Sequence, residues 1–188
     1  ISGTFFDLSR VIYGNYSGRN TKKIVENIKI LRISWRCLRL KNNYIAHISE
    51  DGRVQTVKEH LEGTALLAAD FARTFDGAEL GFLTGLSHDI GKYSGKFQER
   101  IRNPKLHQGL DHSTAGAQLL WKEKLYPAAF AVAGHHGGLP DGGTKADKGQ
   151  GSTMLGRVSK NVEDCGAWRE ELKLPAAGLP ERVPSVAF

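Results

Sequence analysis

Cysteine is scarce in this 188-residue chain: Cys37 and Cys165 are its two cysteines, and they form no CxxC pair. Neither a disulfide framework nor a cysteine-held zinc site is therefore indicated, and any metal must be held by histidine and carboxylate. Long apolar runs are lacking too, so no segment reads as bilayer-spanning. The N-terminal residues do not show the basic, apolar, small-residue order of a secretory signal. These absences predict a soluble, cytoplasmic protein with no membrane partner. The length allows one helical catalytic domain with a substantial core and excludes two full-sized ones.

Basic residues exceed acidic ones, with a net charge of +6, but the excess is local. Residues 1–41 hold nine Lys or Arg against Asp7 and Glu26, while the remaining 147 residues carry 17 basic and 18 acidic side chains. The body of the domain is thus about neutral, and charge alone does not argue for a nucleic-acid partner. Within the basic stretch, Ile24, Ile28, Leu31, Trp35 and Leu38 recur at helical spacing. Leu31, Ile33 and Trp35 also alternate as a strand would. This N-terminal extension is expected to stand apart from residues 42–188 and from their chemistry.

Tyr44–Ile48 and Val54–Val57 flank the turn signal Glu50-Asp51-Gly52, which predicts a short β element before the first core helix. Beyond it the pattern is mainly α. Leu61, Thr64, Ala65, Ala68, Ala72 and Phe75 form one apolar stripe that His60 opens. Ala78–Leu86 predicts a second helix ending at Gly91 as a left-handed cap, with His88 and Asp89 in its last turn. Ser94 caps a third, short helix through Phe97 and Ile101, stopped by Asn103-Pro104. Asp111 is the expected N-cap of a fourth, with His112 in its first turn and Ala115, Leu119 and Trp121 facing inward. Pro127 starts a fifth, whose apolar run Ala128–Ala133 predicts a central helix delivering His135 and His136. A mobile Gly-rich loop is expected over Leu139–Gly151, and a last helix over Lys160–Lys173.

Five of the seven histidines thus fall at predicted helix ends or entries: His60, His88, His112, His135 and His136. Imidazoles grouped with the carboxylate of Asp89 suit one or two divalent transition ions, Mn, Ni, Co, Fe or Zn, with Mg also admitted. Paired ions would activate water and stabilise charge on phosphorus, so the expected reaction is phosphoester hydrolysis. Lys92, three residues past Asp89, reads either as a solvated cation at a helix end or as a charge for a phosphoryl oxygen. Ser113 is a first-turn residue whose hydroxyl can reach a ligand or a phosphate. His47 and His107 lack such company, and His47 is the better outside candidate.

Five pieces of text recur together: Ala46-His47, His60-Leu61-Glu62-Gly63-Thr64-Ala65, His88-Asp89-Ile90-Gly91-Lys92, Asp111-His112-Ser113-Thr114-Ala115-Gly116, and Gly134-His135-His136-Gly137-Gly138-Leu139-Pro140-Asp141. In this order the chain from Tyr44 to about Gly151 resembles the HD nuclease domain of the type I CRISPR-associated helicase-nuclease, most nearly its subtype C form. The resemblance implies an HD-domain helical bundle with a metal site between helices, and a nuclease acting on single-stranded DNA in CRISPR interference. It implies that His60, His88 and Asp89 bind one ion and that Asp89 bridges to a second held by His112, His135 and His136. Lys92 would contact the scissile phosphate. Implied partners are a helicase motor, in cis in a parent protein or in trans, and a CRISPR RNA-guided surveillance complex. The family completes its first site with a later aspartate that no residue from Lys160 to Phe188 matches, Asp164 included, so a C-terminally shortened domain is expected.

Two rivals share parts of this pattern. An HD-GYP cyclic dinucleotide phosphodiesterase follows its His-His pair with Glu and then Asp-Gly-x-Gly-Tyr-Pro, which Gly137–Gly143 does not reproduce. A nucleotide phosphohydrolase needs fewer histidines. From another class, the chain could be a non-catalytic binding module.

Overall fold

Among residues 44–149 and 151–181, which the computed structural model describes, the turn at Glu50-Asp51-Gly52 closes a small antiparallel hairpin. Its strands are β1 (Ile45–Ile48) and β2 (Val54–Thr56). The basic segment 1–41, with its expected amphipathic stretch, lies outside the described residues. β2 runs directly into α1 (Val57–Ala72), where Thr56 and Glu59 form a reciprocal cap. The Thr56 hydroxyl accepts from the Glu59 amide at 3.2 Å, and the Glu59 carboxylate accepts from the Thr56 amide at 2.9 Å.

The buried face of α1 is Val57, Leu61, Ala65, Ala69 and Ala72. Phe75, expected on that stripe, is 53% exposed. The chain tightens into a 3-10 turn over Arg73–Phe75, and three residues per turn rotate Phe75 off the α-helical face. α2 (Ala78–Ser87) then packs back along α1 at backbone contact: a Cβ on Gly85 would lie 2.6 Å from the Ala65 Cα.

A 3-10 turn over Ile90–Tyr93 leads to α3 (Gly95–Arg102), capped by Ser94 and ended at Asn103 as expected. α4 (Thr114–Lys122) begins three residues after Asp111 rather than at it. Asp111 still caps: its carboxylate accepts from the Thr114 amide at 3.1 Å and the Thr114 hydroxyl at 2.7 Å. His112 therefore precedes the helix instead of lying in its first turn. The fully buried positions of α4 are Thr114, Gly116, Ala117 and Leu120, with Ala115, Leu119 and Trp121 only half-buried.

α5 (Tyr126–Gly134) carries Pro in its first turn. It is not central on every side, because Ala131 is exposed. The shared element is α2, which sends Leu83 into a core with Leu120, Ala129, Val132 and Met154, and Leu86 into a second core with Val57, Leu61, Ile90 and Tyr93. The stretch after Leu139 is a loop that folds back through an Asp141–Thr153 bridge. A short helix, α6 (Met154–Val158), follows, and of the last helix expected over Lys160–Lys173 only the four residues of α7 (Trp168–Glu171) are helical. Gly166 breaks the intervening segment by donating its amide to the Asp164 side chain.

Two helical glycines predict opposite outcomes for one substitution. A Cβ on Gly63 meets nothing within 4 Å, whereas one on Gly116 would lie 2.0 Å from the Ser87 carbonyl oxygen. Gly63→Ala is expected to stabilise the fold by about 0.5–1 kcal/mol through helix propensity. Gly116→Ala is expected to destabilise it by about 1–3 kcal/mol, because both contacting groups are backbone. Urea unfolding midpoints of the two variants check both signs.

Candidate metal centre

Each histidine is delivered by the end of an element. His60 sits in the first turn of α1, His88 caps the C-terminus of α2, and His135 caps that of α5 with His136 next to it. His112 comes from the segment just before α4. Asp89 lies between α2 and the following 3-10 turn, with φ −123°, and this break from helical backbone separates its direction from that of His88. Gly91 is not the left-handed cap expected of it, for its φ is not positive and it lies inside the 3-10 turn. Its smallness serves packing, since a Cβ there would lie 2.3 Å from the His112 carbonyl oxygen.

The two oxygens of Asp89 face different neighbours. Oδ2 is 3.0 Å from His60 Nε2 and 3.3 Å from His88 Nε2. Oδ1 is 3.2 Å from His135 Nε2 and 3.4 Å from His112 Nε2. His136 joins through His112, their Nε2 atoms 2.7 Å apart. Two groups able to hold a metal ion result, His60–His88–Asp89 and Asp89–His112–His135–His136, sharing the one carboxylate. Among the described residues no other carboxylate joins either group. Asp164 accepts from the Gly166 amide and stands in neither.

Backbone carbonyls orient the rings. His88 Nδ1 meets the Gly85 carbonyl at 2.6 Å, His135 Nδ1 the Val132 carbonyl at 2.7 Å, and His112 Nδ1 the Leu110 carbonyl at 3.4 Å. A carbonyl only accepts, so each Nδ1 donates, and in the neutral ring Nε2 keeps its lone pair toward Asp89. His88 and His60 then oppose their Nε2 atoms at 3.1 Å. Asp89 Oδ1 is buried with no hydrogen-bond partner among the described residues. Lone pairs converging on a buried, unpartnered carboxylate oxygen require positive charge among them, and a divalent cation fits that donor set.

The electrostatics agree for His112 and His136 and run the other way for His135. Burial opposes ionisation of Asp89, yet the imidazoles of His135, His60 and His88 hold its carboxyl well below the usual carboxylate range. Burial also lowers His112 and His136, His136 further through His135, so both favour the neutral, ligating form. For His135 burial opposes the proton, but contact with Asp89 outweighs it and raises the group.

Lys92 is buried against the carboxylate, with Nζ 2.9 Å from Asp89 Oδ2. It is therefore not a solvated cation. His47, which lacked company in the sequence, stands 2.9 Å from Lys92 Nζ, with its ring edge-on to His60 at 4.8 Å. Burial and the neighbouring Lys92 lower its pKa. Only its adjacency to Ala46 in the recurring text pointed to it. Ser113 does not reach the cluster: its hydroxyl donates to Asp111 and accepts from Arg157, each at 3.3 Å. His107 pairs with Glu99, away from both groups. Of the basic side chains on α3, Lys96 pairs with Glu163 and Arg102 donates to the Gln98 carbonyl.

The family model for the HD domain matches residues 57–176, more than half of the chain and every residue of both groups that could hold a metal ion. No curated protein matches the chain.

The shared carboxylate predicts unequal losses on substitution. After loading with Mn and desalting, Asp89→Ala is expected to weaken binding at both groups, while His136→Ala weakens one and leaves the other. Since losing even an outer-shell partner costs roughly 10–100-fold in metal affinity, losing a ligand should cost at least about that. Elemental analysis across a metal titration reads the two patterns.

Proposed function

The chain belongs to the HD-domain family, a family typical of metal-dependent phosphohydrolases, and we propose that it hydrolyses phosphodiester bonds of single-stranded DNA. The observation that carries the hydrolytic reading is Asp89, with each oxygen turned to its own set of imidazoles. Divalent ions so placed supply Lewis acidity, which makes water nucleophilic near neutral pH and offsets charge on phosphorus.

The protein's own residues do the rest. His60, His88 and Asp89 would hold one ion, and Asp89, His112, His135 and His136 would hold the other. The Lys92 ammonium offers hydrogen bonds and charge to a phosphoryl oxygen, a role for which its burial removes competing water. A polymer substrate is supported by exposure: His135, His136 and the following Gly137-Gly138-Leu139 lie open at the surface, not in an enclosed cavity. Single-stranded DNA and the CRISPR setting are supported by the five recurring pieces of text. On this reading a helicase motor, on the same parent chain or a separate one, presents the strand within an RNA-guided surveillance complex.

Incubation with circular single-stranded DNA and Mn, Co or Ni, with cyclic di-GMP and a deoxynucleoside triphosphate as parallel substrates, tests the proposal. The circle is expected to be cut. Asp89→Ala should lower the rate by at least about 1,000-fold and Lys92→Ala by about 100-fold, as loss of a charge-stabilising group does. Turnover of cyclic di-GMP or the nucleotide with the circle intact would replace the substrate. Cutting that survives Asp89→Ala would sink the mechanism.

A further inference from the structure

The geometry points to His47 as a positioning residue that holds the Lys92 ammonium in place, a role that rests on the hydrolytic reading above. Among the described residues Lys92 Nζ has two polar partners, Asp89 Oδ2 and His47 Nε2, both at 2.9 Å, with the Phe97 ring 5.7 Å away. An ammonium has three protons. With two directed to Asp89 and His47, the third is left for a substrate oxygen. Without His47, Asp89 is the one polar partner left to fix the direction of the ammonium among the described residues.

The local backbone is built for this contact. The pairing of β1 with β2 slips between Ile45 and His47, and as a result Ile45 and Ala46 are both buried where a regular strand would alternate. Such an irregularity re-aims the side chain that follows it. Here that side chain is His47. Gln98 locks strand and turn together from beneath. Its buried amide accepts from the Ile45 N–H at 2.9 Å and donates to the Ile45 carbonyl at 2.9 Å and the Lys92 carbonyl at 2.8 Å. The backbones of Ile45, two residues before His47, and of Lys92 are thus tied to one side chain, which limits the distance His47 must span.

Two measurements test this, one of which needs no turnover. In metal-free protein, reductive methylation read by peptide mass spectrometry should label Lys92 several-fold faster in His47→Ala than in the wild type, with Lys58 and Lys122 unchanged as controls for general loosening. An unchanged Lys92 rate overturns the assignment, as does an equal rise at all three lysines. In turnover of circular single-stranded DNA, His47→Ala should lower kcat about tenfold with KM and bound metal unchanged, and His47→Gln, whose amide oxygen can accept, should recover most of the loss. Added to Lys92→Ala, His47→Ala should cost nothing further, the non-additivity expected of residues acting as a unit. A full additional loss in the double variant, or loss of metal in His47→Ala, overturns it. A wild-type chain that cuts nothing defeats the proposed function but leaves the labelling result to decide His47.

Discussion

A single buried carboxylate, that of Asp89, sets the terms for the surrounding structure. Removing such a group from water costs several kcal/mol unless positive charge and directed hydrogen-bonding atoms replace the solvent. Five imidazoles and one ammonium gather around it. No single element could supply them, so four separate chain segments must meet at the same place. Three of the histidines come from helix termini, where the chain leaves the helix and can turn a side chain toward a common point.

Small residues make that convergence possible. α1 and α2 meet at Ala65 and Gly85, α2 and α4 at Ser87 and Gly116, and the turn after Asp89 meets the His112 backbone at Gly91. Each contact is main chain against main chain, so the separations are insensitive to rotamer choice. Leu83 and Leu86, neighbours three residues apart on α2, anchor it in two apolar cores. Burial of these side chains, at about 25 cal/mol per Å2 of apolar surface, holds the helix end that carries His88 and Asp89 against the cost of crowding polar groups there.

The parts of the fold that were legible in the sequence depend on neighbours a few residues apart. The hairpin at Glu50-Asp51-Gly52, the Ser94 cap and the Pro127 start of α5 are all local rules of turn and cap chemistry, and they hold. Readings failed where a distant contact chose the outcome or where the chain left regular helix geometry locally. Gly91 read as a left-handed cap because glycine often serves there, but a backbone more than twenty residues on is what it accommodates. Phe75 left its stripe when the helix tightened, and the expected helix after Lys160 gave way to a segment organised by Asp164 and Gly166. In the site, Ser113 was read toward the ligands, whereas Asp111 and Arg157 hold its hydroxyl elsewhere.

Residue types and their order along the chain were enough to assign the mainly helical class and the six side chains that meet, because imidazole and carboxylate at successive helix ends have few other uses in such number. Nothing in that order says which oxygen of Asp89 faces which histidines, that Lys92 is buried, or that His47 belongs beside it. Those follow from how α2 lies between two cores and from a slipped strand pairing that Gln98 ties to the Lys92 turn. Directions of side chains are set by contacts between segments far apart in sequence, and such contacts exist only once the helices have packed.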